Sequence, residues 1–362
     1  MMELIYRPDP KRLARRAAGY CPNELVNGER VDWDVETYHT AHSAGTVSRS
    51  ELATFAENPA SYRAQIMRGE KPEPKDSMRL GQCLHMELLG GHQQAPRVPS
   101  KVLTPDGKGG WKRYGKKWEA WLEENGPYYV LPKELDTLAG MVKSIREHDQ
   151  IAEFLTEGGK FGTRHESTIL ATHGPTGLRT RCRYDIESVW LFDIKKTADV
   201  SAQSFASHCL DFGYHCQAAF YQDHLRALLD ESEVRPFILI AVEDKPPFQC
   251  IAYEMAPEFV DIGRVLNAHR LDLFAMFARA WELFESAATG AGVPQKARPE
   301  EIWESVAKGR IQFLKPPAKA PYQMEWETDL DTAHKELTRR LETVGKKHGI
   351  DWTKVLKERG QL

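Results

Sequence analysis

Apolar residues recur with helical spacing through the first part of the chain. Leu80, Leu84 and Leu88, for example, share one stripe of a helix that stops at two consecutive glycines. A later amphipathic pattern is interrupted near Asp149. The pattern therefore predicts a helical N-terminal part over residues 1–155.

The start of one helix in this part is marked by its sequence. Ser48 and Glu51 have the spacing of a capping box, in which each side chain accepts a hydrogen bond from the backbone N–H of the other residue. Pro59 interrupts the pattern that follows, because proline lacks the N–H that a helix interior needs. We therefore expect two short helices between residues 49 and 67.

From about residue 160 the pattern changes to short apolar runs that alternate with longer helical segments. Five strands are predicted, over residues 166–173, 178–186, 188–196, 235–244 and 248–256. The helical segment before the fourth strand can be one helix, or two that meet near Gly213, and another runs from Pro257 to Ala288. This order predicts an α/β fold with a central mixed β-sheet flanked by helices.

The predicted sheet and its helices occupy residues 156–292, which we assign as the core of the fold. Residues 293–362 combine a proline-containing stretch with a charged helical pattern. We assign them as a C-terminal extension whose role the pattern does not indicate.

Composition sets limits on the class of protein and on its partners. The 362 residues are 41% hydrophobic, which is typical of a globular chain with a sizeable core. The 49 Lys and Arg residues nearly balance 52 Asp and Glu residues, which gives a formal net charge of -3. Any surface that binds a nucleic acid must therefore be local rather than a property of the whole chain.

The sequence also indicates a compartment. No apolar run has the length of a bilayer span, and the N-terminus lacks the apolar core of a signal peptide, so we expect a cytoplasmic protein without a membrane partner. The six cysteines are scattered without a CxxC pair, so their spacing suggests neither a zinc finger nor a closely spaced iron–sulfur set.

The chemistry concentrates at the end of the third predicted strand. Asp193 and Lys195 lie on one face of that strand and Ile194 on the other, because strand residues alternate. Pairing with the preceding strand would bring Asp185 close to Asp193. Two adjacent carboxylates repel each other unless a cation lies between them, and oxygen ligands suit Mg²⁺, which Mn²⁺ could replace.

Asp185 followed by the Asp193–Ile194–Lys195 tripeptide resembles the signature of the PD-(D/E)XK nuclease superfamily. Tyr184 stands where that signature has proline, a position that shapes the backbone and supplies no ligand. Gln217 and Tyr221, four residues apart on one helix face, resemble the helical motif of RecB-type nucleases.

Other segments extend the resemblance to residues 47–229. The helix with sequence RLGQCLHMELL resembles the one that carries a metal-binding histidine, here His85, and Glu166 falls where related nucleases have an acid. Gly81, one turn before the histidine, would allow another backbone to approach closely. Together these segments resemble the C-terminal nuclease domain of the RecE family, exonuclease VIII, and its phage relatives.

The resemblance implies a Mg²⁺-dependent exodeoxyribonuclease that degrades linear double-stranded DNA for recombination by strand annealing. It implies 5′-to-3′ polarity, a partner protein that anneals single strands, and a ring-shaped homo-oligomer around the DNA. The implied metal ligands are His85, Asp185, Asp193 and the carbonyl of Ile194. The other implied catalytic or supporting residues are Lys195, Glu166, Gln217 and Tyr221.

Two further predictions rest on charge and position alone. Arg49, beside the capping Ser48, is placed to contact a phosphate at a DNA end. A second set could grip a DNA backbone and stack a base, or could be only a solvated loop. The set comprises the basic residues Lys108, Lys112, Arg113, Lys116 and Lys117 and the aromatic residues Trp111, Tyr114 and Trp118.

Two alternatives remain open at this level. The same core could serve a structure-selective or defence endonuclease, which needs no DNA end. The chain could also be a DNA-binding scaffold that has lost turnover, although the presence of Asp185, Asp193 and Lys195 argues against that reading.

Overall fold

A computed structural model of the protein describes most of the chain through residue 290. The described residues are 9–17, 22–67, 69–70, 75–90, 94–105, 111–229 and 234–290, together with 338, 339, 342, 343 and 346. The predicted C-terminal extension therefore lies largely outside the described residues. None of the helices in the described ranges is both long and apolar enough to cross a membrane.

Nine strands and ten α-helices lie within the described residues. The strands are β1 (Leu25–Val31), β2 (Thr46–Ser48), β3 (Thr104–Pro105), β4 (Trp111–Lys112), β5 (Arg164–His173), β6 (Arg179–Glu187), β7 (Leu191–Thr197), β8 (Phe237–Glu243) and β9 (Cys250–Glu254). The α-helices are α1 (Pro10–Ala17), α2 (Val35–Thr40), α3 (Arg49–Glu57), α4 (Pro59–Tyr62), α5 (Asp76–Leu89), α6 (Lys116–Asn125), α7 (Leu135–Arg146), α8 (Ala202–Asp211), α9 (Tyr214–Leu229) and α10 (Pro257–Gly290).

A seven-stranded mixed sheet forms the centre of the molecule. Its strands run in the order β1-β5-β6-β7-β8-β9, and β2 pairs in parallel with β6. Neighbours along the main path are antiparallel except β7 and β8, which are parallel. Parallel neighbours need a long crossover, which α8 and α9 provide. The predicted α/β fold with a central mixed sheet is confirmed.

Helices cover both faces of this sheet. Residues of α8, α9 and α10 pack with Leu191, Phe237 and Leu239 on one face. Residues of α5 and α7 pack with Phe192 and Ile194 on the other. Strands buried on both faces read as continuous apolar runs, which is why β8 is apolar over most of its length and why β7 begins with Leu191 and Phe192.

The local predictions agree with the structure except at strand ends. The five predicted strands are confirmed, but Ser188 and Trp190 form a turn in which the Ser188 N–H donates to the Trp190 carbonyl. Ser48 and Glu51 form the predicted capping box at the start of α3. Gly213, with a φ of +68°, separates α8 from α9, so the second of the two alternatives for this segment is the one observed.

The N-terminal part contributes two strands to the central sheet, and its short strands β3 and β4 pair with each other in a separate two-stranded sheet. β1 pairs with β5, and β2 pairs with β6. The hydrophobic pattern does not indicate either strand, because β1 is largely polar and β2 has only three residues. The predicted limit at residue 155 is not tested by these pairings and stays a prediction.

Gly28 allows β1 to lie directly against α9. A Cβ atom at this position would lie 2.2 Å from the backbone nitrogen of Leu228, which no side chain can tolerate without a shift of the helix. We expect Gly28→Ala to lower the free energy of unfolding by about 1–3 kcal/mol, the usual cost of overpacking. Urea unfolding followed by circular dichroism measures this effect.

Gly81 supplies the matched control for this prediction. Contrary to the sequence-based expectation, no described atom outside its own helix lies within 4 Å of a Cβ built at Gly81, so no backbone approaches it closely. Gly81→Ala should be neutral or should stabilise α5 by up to about 1 kcal/mol. Equal destabilisation by the two substitutions would contradict the proposed close contact at Gly28.

Candidate active site

The candidate site lies where β6 and β7 separate. Their backbone pairing is confined to Ile186 with Phe192 and Glu187 with Leu191. Beyond those pairs, the Ile194 N–H donates a 2.8 Å hydrogen bond to Oδ2 of Asp185. The carboxylate thus takes the place of a backbone acceptor and is held in the gap between the two strands.

Three side chains converge beside this gap. His85 from α5, Glu166 from β5 and Asp185 from β6 place one possible ligand atom each within 4.8 Å of one another. Nδ1 of His85 lies 3.4 Å from Oδ1 of Asp185, and its Nε2 lies 3.1 Å from the carbonyl oxygen of Ile194. Three of the four predicted metal ligands, together with Glu166, therefore meet at one point of the sheet.

Glu166 occupies an unusual position within β5. Its φ of +50° is in the left-handed region, which costs free energy for a residue with a side chain. Ladder pairs on either side, His165 with Ile186 and Ser167 with Tyr184, place it opposite Asp185. The Arg183 guanidinium donates a 2.6 Å hydrogen bond to its Oε2 and fixes the carboxylate in this position.

Asp193 belongs to a neighbouring pair rather than to the three-residue group. Its Oδ2 contacts the Lys195 ammonium, and its Oδ1 accepts a 2.6 Å hydrogen bond from the Gln217 amide. Asp193 and Lys195 therefore share one face of β7, as the alternation predicts, and the Ile194 side chain packs in the core on the opposite face. The prediction that Asp185 and Asp193 grasp a single ion stays a prediction.

The charges of the site perturb one another strongly. Burial lowers the pKa of His85, but the nearby Asp185 carboxylate outweighs this effect and raises it to about 9. Burial and the Asp185 charge both raise the pKa of Asp193 and of Glu166. Burial also opposes ionisation of Asp185, yet the charge and hydrogen bond of His85 bring its pKa below the ordinary value.

Three carboxylates are thus clustered closely enough that the Asp185 charge disfavours ionisation of the other two, a repulsion that a divalent cation would relieve. The donor set of two carboxylates, a carbonyl oxygen and an imidazole fits a divalent ion. The oxygens suit Mg²⁺ or Mn²⁺, and the imidazole is a better ligand for a transition ion such as Mn²⁺ than for Mg²⁺.

The residues of the predicted helical motif have different surroundings. Gln217 orients Asp193 directly. The Tyr221 ring packs at 5.1 Å from the Tyr184 ring, and its backbone carbonyl accepts a 2.8 Å hydrogen bond from the Tyr184 hydroxyl. Tyr184, which replaces the proline of the signature, is fully buried. Its hydroxyl therefore ties β6 to α9 beneath the site, and the contacts of Tyr221 are those of packing.

The members of the predicted DNA-binding set have different surroundings in the structure, and DNA binding by the set stays a prediction. Arg113 donates to Asp76 at 2.6 Å and to the Tyr129 hydroxyl at 2.9 Å, so its guanidinium links folded segments. Trp118 is buried in a small cluster with Trp121 and Tyr129, and is therefore not a base-stacking residue. The remaining members are Lys112, Lys116 and Lys117, which are exposed, Tyr114, which is 54% exposed, and Lys108 and the Trp111 side chain, which lie outside the described residues.

Arg49 lies close to the candidate site. It is the first residue of α3, and its Nη1 atom lies 3.3 Å from the point where a Cβ of Gly213 would be. Gly213 immediately precedes Tyr214, whose ring centroid is 4.6 Å from the Lys195 ammonium. A phosphate contact by Arg49 stays a prediction that this position favours.

Sequence reasoning missed two residues of this region. Arg183 holds Glu166, and Tyr214 lies over Lys195. Arg183 is two residues before Asp185, and Tyr214 directly follows the glycine between the two helices. The position of Tyr214 after a helix break is the one signal in the sequence that could have singled it out.

Known proteins provide three comparisons. The crystal structure at 2.19 Å resolution of a protein from Eubacterium rectale, provisionally named an exonuclease, is similar to this chain with a TM-score of 0.48 and 12% sequence identity. The similarity covers 80% of this chain and 97% of that one. No curated protein matches the sequence significantly.

The third comparison concerns a protein family. Residues 48–276 match the PDDEXK-like domain of unknown function (DUF3799), and this range contains α3, the whole β5–β9 region and the residues of the candidate site. The predicted superfamily is thereby confirmed, whereas the narrower resemblance to RecE stays a prediction. On this match over most of its length, the chain belongs to the family of PDDEXK-like domains of unknown function.

Proposed function

We propose that this protein is a metal-dependent exodeoxyribonuclease that degrades linear double-stranded DNA. The observation that carries the proposal is the convergence of His85, Glu166 and Asp185 within 4.8 Å. That group lies beside the buried Asp193–Lys195 pair. Ligands for a hard cation and an ammonium group at one strand end are components with which metal-assisted hydrolysis of a phosphodiester stabilises its transition state.

The residues have separate tasks in this proposal. His85, Glu166, Asp185 and the Ile194 carbonyl would hold the ion, and Asp193 would support it from the adjoining strand. When bound, Mg²⁺ or Mn²⁺ supplies charge neutralisation and Lewis acidity at the phosphate. The Lys195 ammonium donates hydrogen bonds to a phosphate oxygen or to the attacking water, and stabilises the negative charge that develops.

Asp193 and Tyr214 contact this lysine directly, and Gln217 acts on it through Asp193. Asp193 contacts the ammonium through Oδ2, while Gln217 fixes the other carboxylate oxygen from α9. The Tyr214 ring covers the ammonium from one side, 4.6 Å from its centroid. Such an arrangement restricts the rotamers of a long side chain and keeps the charge in place before DNA binds.

The proposed polarity, partner and assembly rest on the resemblance to RecE-type nucleases. The proposed polarity is digestion from 5′ to 3′, which leaves a 3′ overhang. The proposed partner is an annealing protein that receives the overhanging strand, and the proposed assembly is a ring-shaped homo-oligomer. Each has its own measurement: strand-specific end labels, co-purification with an annealing protein, and the mass of the native assembly in solution.

End-labelled linear duplex incubated with Mg²⁺, beside the same sequence as a closed circle, tests the activity. An exonuclease shortens the linear DNA and leaves the circle intact, because it needs an end. Labels on the 5′ or the 3′ terminus distinguish the two polarities. Cleavage of the circle would favour the endonuclease alternative, and digestion of neither substrate with Mg²⁺ or Mn²⁺ would favour the inactive scaffold.

Metal binding should be visible without any turnover. We expect Mg²⁺ or Mn²⁺ to raise the melting temperature of EDTA-treated protein, since an ion relieves the repulsion among the clustered carboxylates. A concentration 100 times the dissociation constant should stabilise the fold by about 2.7 kcal/mol. Thermal unfolding of the wild type with increasing metal measures the shift.

Two variants show whether the shift comes from this site. Asp185→Asn removes a predicted ligand charge and should abolish most of the shift. Glu29→Gln alters an exposed acid of β1 that pairs with Arg179 at the surface, and should leave the shift unchanged. An undiminished shift in the Asp185→Asn protein would show that the ion binds elsewhere.

A further inference from the structure

An exposed aromatic side chain lies at the mouth of the proposed site. Phe212 is 59% exposed, although it is a large apolar residue. Its ring stacks on that of Tyr214, with centroids 5.8 Å apart and planes at 30°. The Tyr214 ring in turn lies 4.6 Å from the Lys195 ammonium. Two stacked rings therefore connect solvent with the lysine that the proposed reaction uses.

The backbone holds these rings in place. Gly213 adopts a φ of +68° between them, which ends α8 and lets α9 begin in a new direction. The Phe212 N–H donates a 2.9 Å hydrogen bond to the His208 carbonyl, and the His208 ring lies 5.7 Å from the Phe212 ring. Phe212 is thus ordered by its neighbours while one face remains open.

The positively charged Arg49 of α3 lies next to the segment that carries the Phe212 and Tyr214 rings. The Arg49 guanidinium approaches the same Gly213, with Nη1 at 3.3 Å from the position of a Cβ there. The Arg49 guanidinium, the Lys195 ammonium and the aromatic rings therefore lie around the same short segment, residues 212–214. This combination matches a nucleic-acid strand, whose bases stack on aromatic rings and whose phosphates attract cations.

We propose that Phe212 and Tyr214 form a stacking platform for unpaired bases next to the phosphodiester that is cut. The inference rests on the proposed nuclease function and adds the form of DNA that reaches the site. Inside a duplex both faces of a base are covered by neighbouring base pairs, so the surfaces free to stack on Phe212 are the bases of a single strand and the outer face of a terminal pair. The platform therefore favours a DNA end, and a strand end that has separated from its complement presents the most base surface to it.

Stacking also suits the sequence tolerance that an exonuclease needs. Every base presents an aromatic face, and contacts of this kind do not depend on hydrogen-bonding edges. The short step from Lys195 to Tyr214 and from Tyr214 to Phe212 places the platform within reach of the nucleotide that carries the scissile phosphate.

Fluorescence of 2-aminopurine, placed near the 5′ end of a single-stranded oligonucleotide, tests the platform. The titration is performed in EDTA, so that binding is measured without metal-dependent hydrolysis. Wild-type protein should quench the fluorophore by stacking on it. Phe212→Ala should bind about 5- to 100-fold more weakly and lose the quenching, as expected for the loss of one base–aromatic stack.

Three further variants complete the experiment. Phe212→Trp keeps an aromatic face and should keep the quenching, whereas Phe212→Leu keeps apolar area alone and should lose it. Val26→Ala alters another exposed apolar residue, which pairs with Thr172 six residues along β5 from Glu166, and should behave as wild type. Circular dichroism checks that each variant is folded.

The outcomes separate this inference from the proposed hydrolysis. Unchanged affinity and quenching in Phe212→Ala would overturn the platform, even if the wild type digests DNA. Quenching that depends on Phe212 in a protein that hydrolyses nothing would uphold the platform and reject the nuclease activity. A Phe212→Ala variant with altered oligomeric state and normal DNA affinity would show that the ring contacts another protein copy, and would also overturn it.

Discussion

Lys195→Ala should reduce metal-dependent cleavage of linear duplex DNA by about 100- to 1,000-fold, the usual cost of removing one preorganised charge from a transition state. The Lys195 ammonium contacts Asp193 and is covered by Tyr214, so its position is fixed before substrate arrives. Alanine removes the charge and all of its hydrogen bonds. Initial rates on end-labelled duplex at saturating Mg²⁺ measure the loss.

The neighbouring residue provides the matched control. Lys196 has the same side chain on the next position of β7, but its ammonium pairs with Asp244 at 2.7 Å rather than with Asp193. Lys196→Ala should therefore retain the cleavage rate of the wild type within a few fold. The assignment of Lys195 would be rejected if its alanine variant cleaved normally, or if both variants lost activity equally.

The melting temperature of the Lys195→Ala variant with Mg²⁺ shows whether the loss of rate comes from catalysis or from folding. Removal of Lys195 leaves Asp193 with the Gln217 hydrogen bond but without a counter-charge, which costs stability for a buried carboxylate. The group formed by His85, Glu166 and Asp185 is intact in the variant, so Mg²⁺ should still raise its melting temperature. A catalytic role predicts a large loss of rate with metal binding retained.

Much of this site follows from period-2 alternation and short-range pairing. Asp193 and Lys195 share a face because they are two residues apart on one strand. β6 and β7 follow each other closely and form an antiparallel pair, which brings Asp185 toward the same strand end. The acids, the lysine and their strands could therefore be predicted from a single sequence.

The features of the site that the sequence does not predict arise where tertiary structure overrides the local pattern. The positive φ of Glu166 interrupts the regular course of β5, and no residue type in the sequence announces it. The separation of β6 from β7 places Asp185 with His85 and Glu166, while Asp193 turns to Lys195 and Gln217. The alternation of side chains along a strand does not tell whether Asp185 and Asp193 belong to one group of side chains or to two adjacent groups.

The sequence also does not indicate which distant strands pair with each other. β2 has three residues and pairs with β6 across more than a hundred positions of the chain. The sequence shows that Arg113 is basic and Trp118 aromatic, but it does not show that Arg113 pairs with Asp76 or that Trp118 packs in a buried cluster. Composition identifies the chemistry of a side chain, but its partner depends on which distant segments the fold brings together.

The buried guanidinium of Arg181 joins the N-terminal part to the sheet and helps to position α3 next to the candidate site. Arg181 of β6 is 1% exposed, and its guanidinium donates to Glu51 of α3. It also donates to the backbone carbonyl of Thr46 at 2.6 Å and to that of Tyr38 at 3.0 Å. α3 starts with Arg49, so this network fixes the helix end that points toward Gly213.

Glu51→Ala should lower the free energy of unfolding by about 3–5 kcal/mol, because it leaves a buried guanidinium without its counter-charge. Glu51 also accepts a 2.8 Å hydrogen bond from the Ser48 N–H, so the substitution removes half of the capping box as well. Glu51→Gln preserves the shape and can still accept that bond, and should therefore cost less. Urea unfolding of both variants measures the difference.

An exposed ion pair provides the control for this effect. Glu29 and Arg179 approach to 3.4 Å with side chains that are 62% and 52% exposed, so their attraction is screened by water. Glu29→Ala should therefore change the free energy of unfolding by about 1 kcal/mol or less. A loss in Glu51→Ala no larger than in Glu29→Ala would mean that water reaches Arg181 in solution, and that the contact between α3 and β6 is looser than the buried network requires.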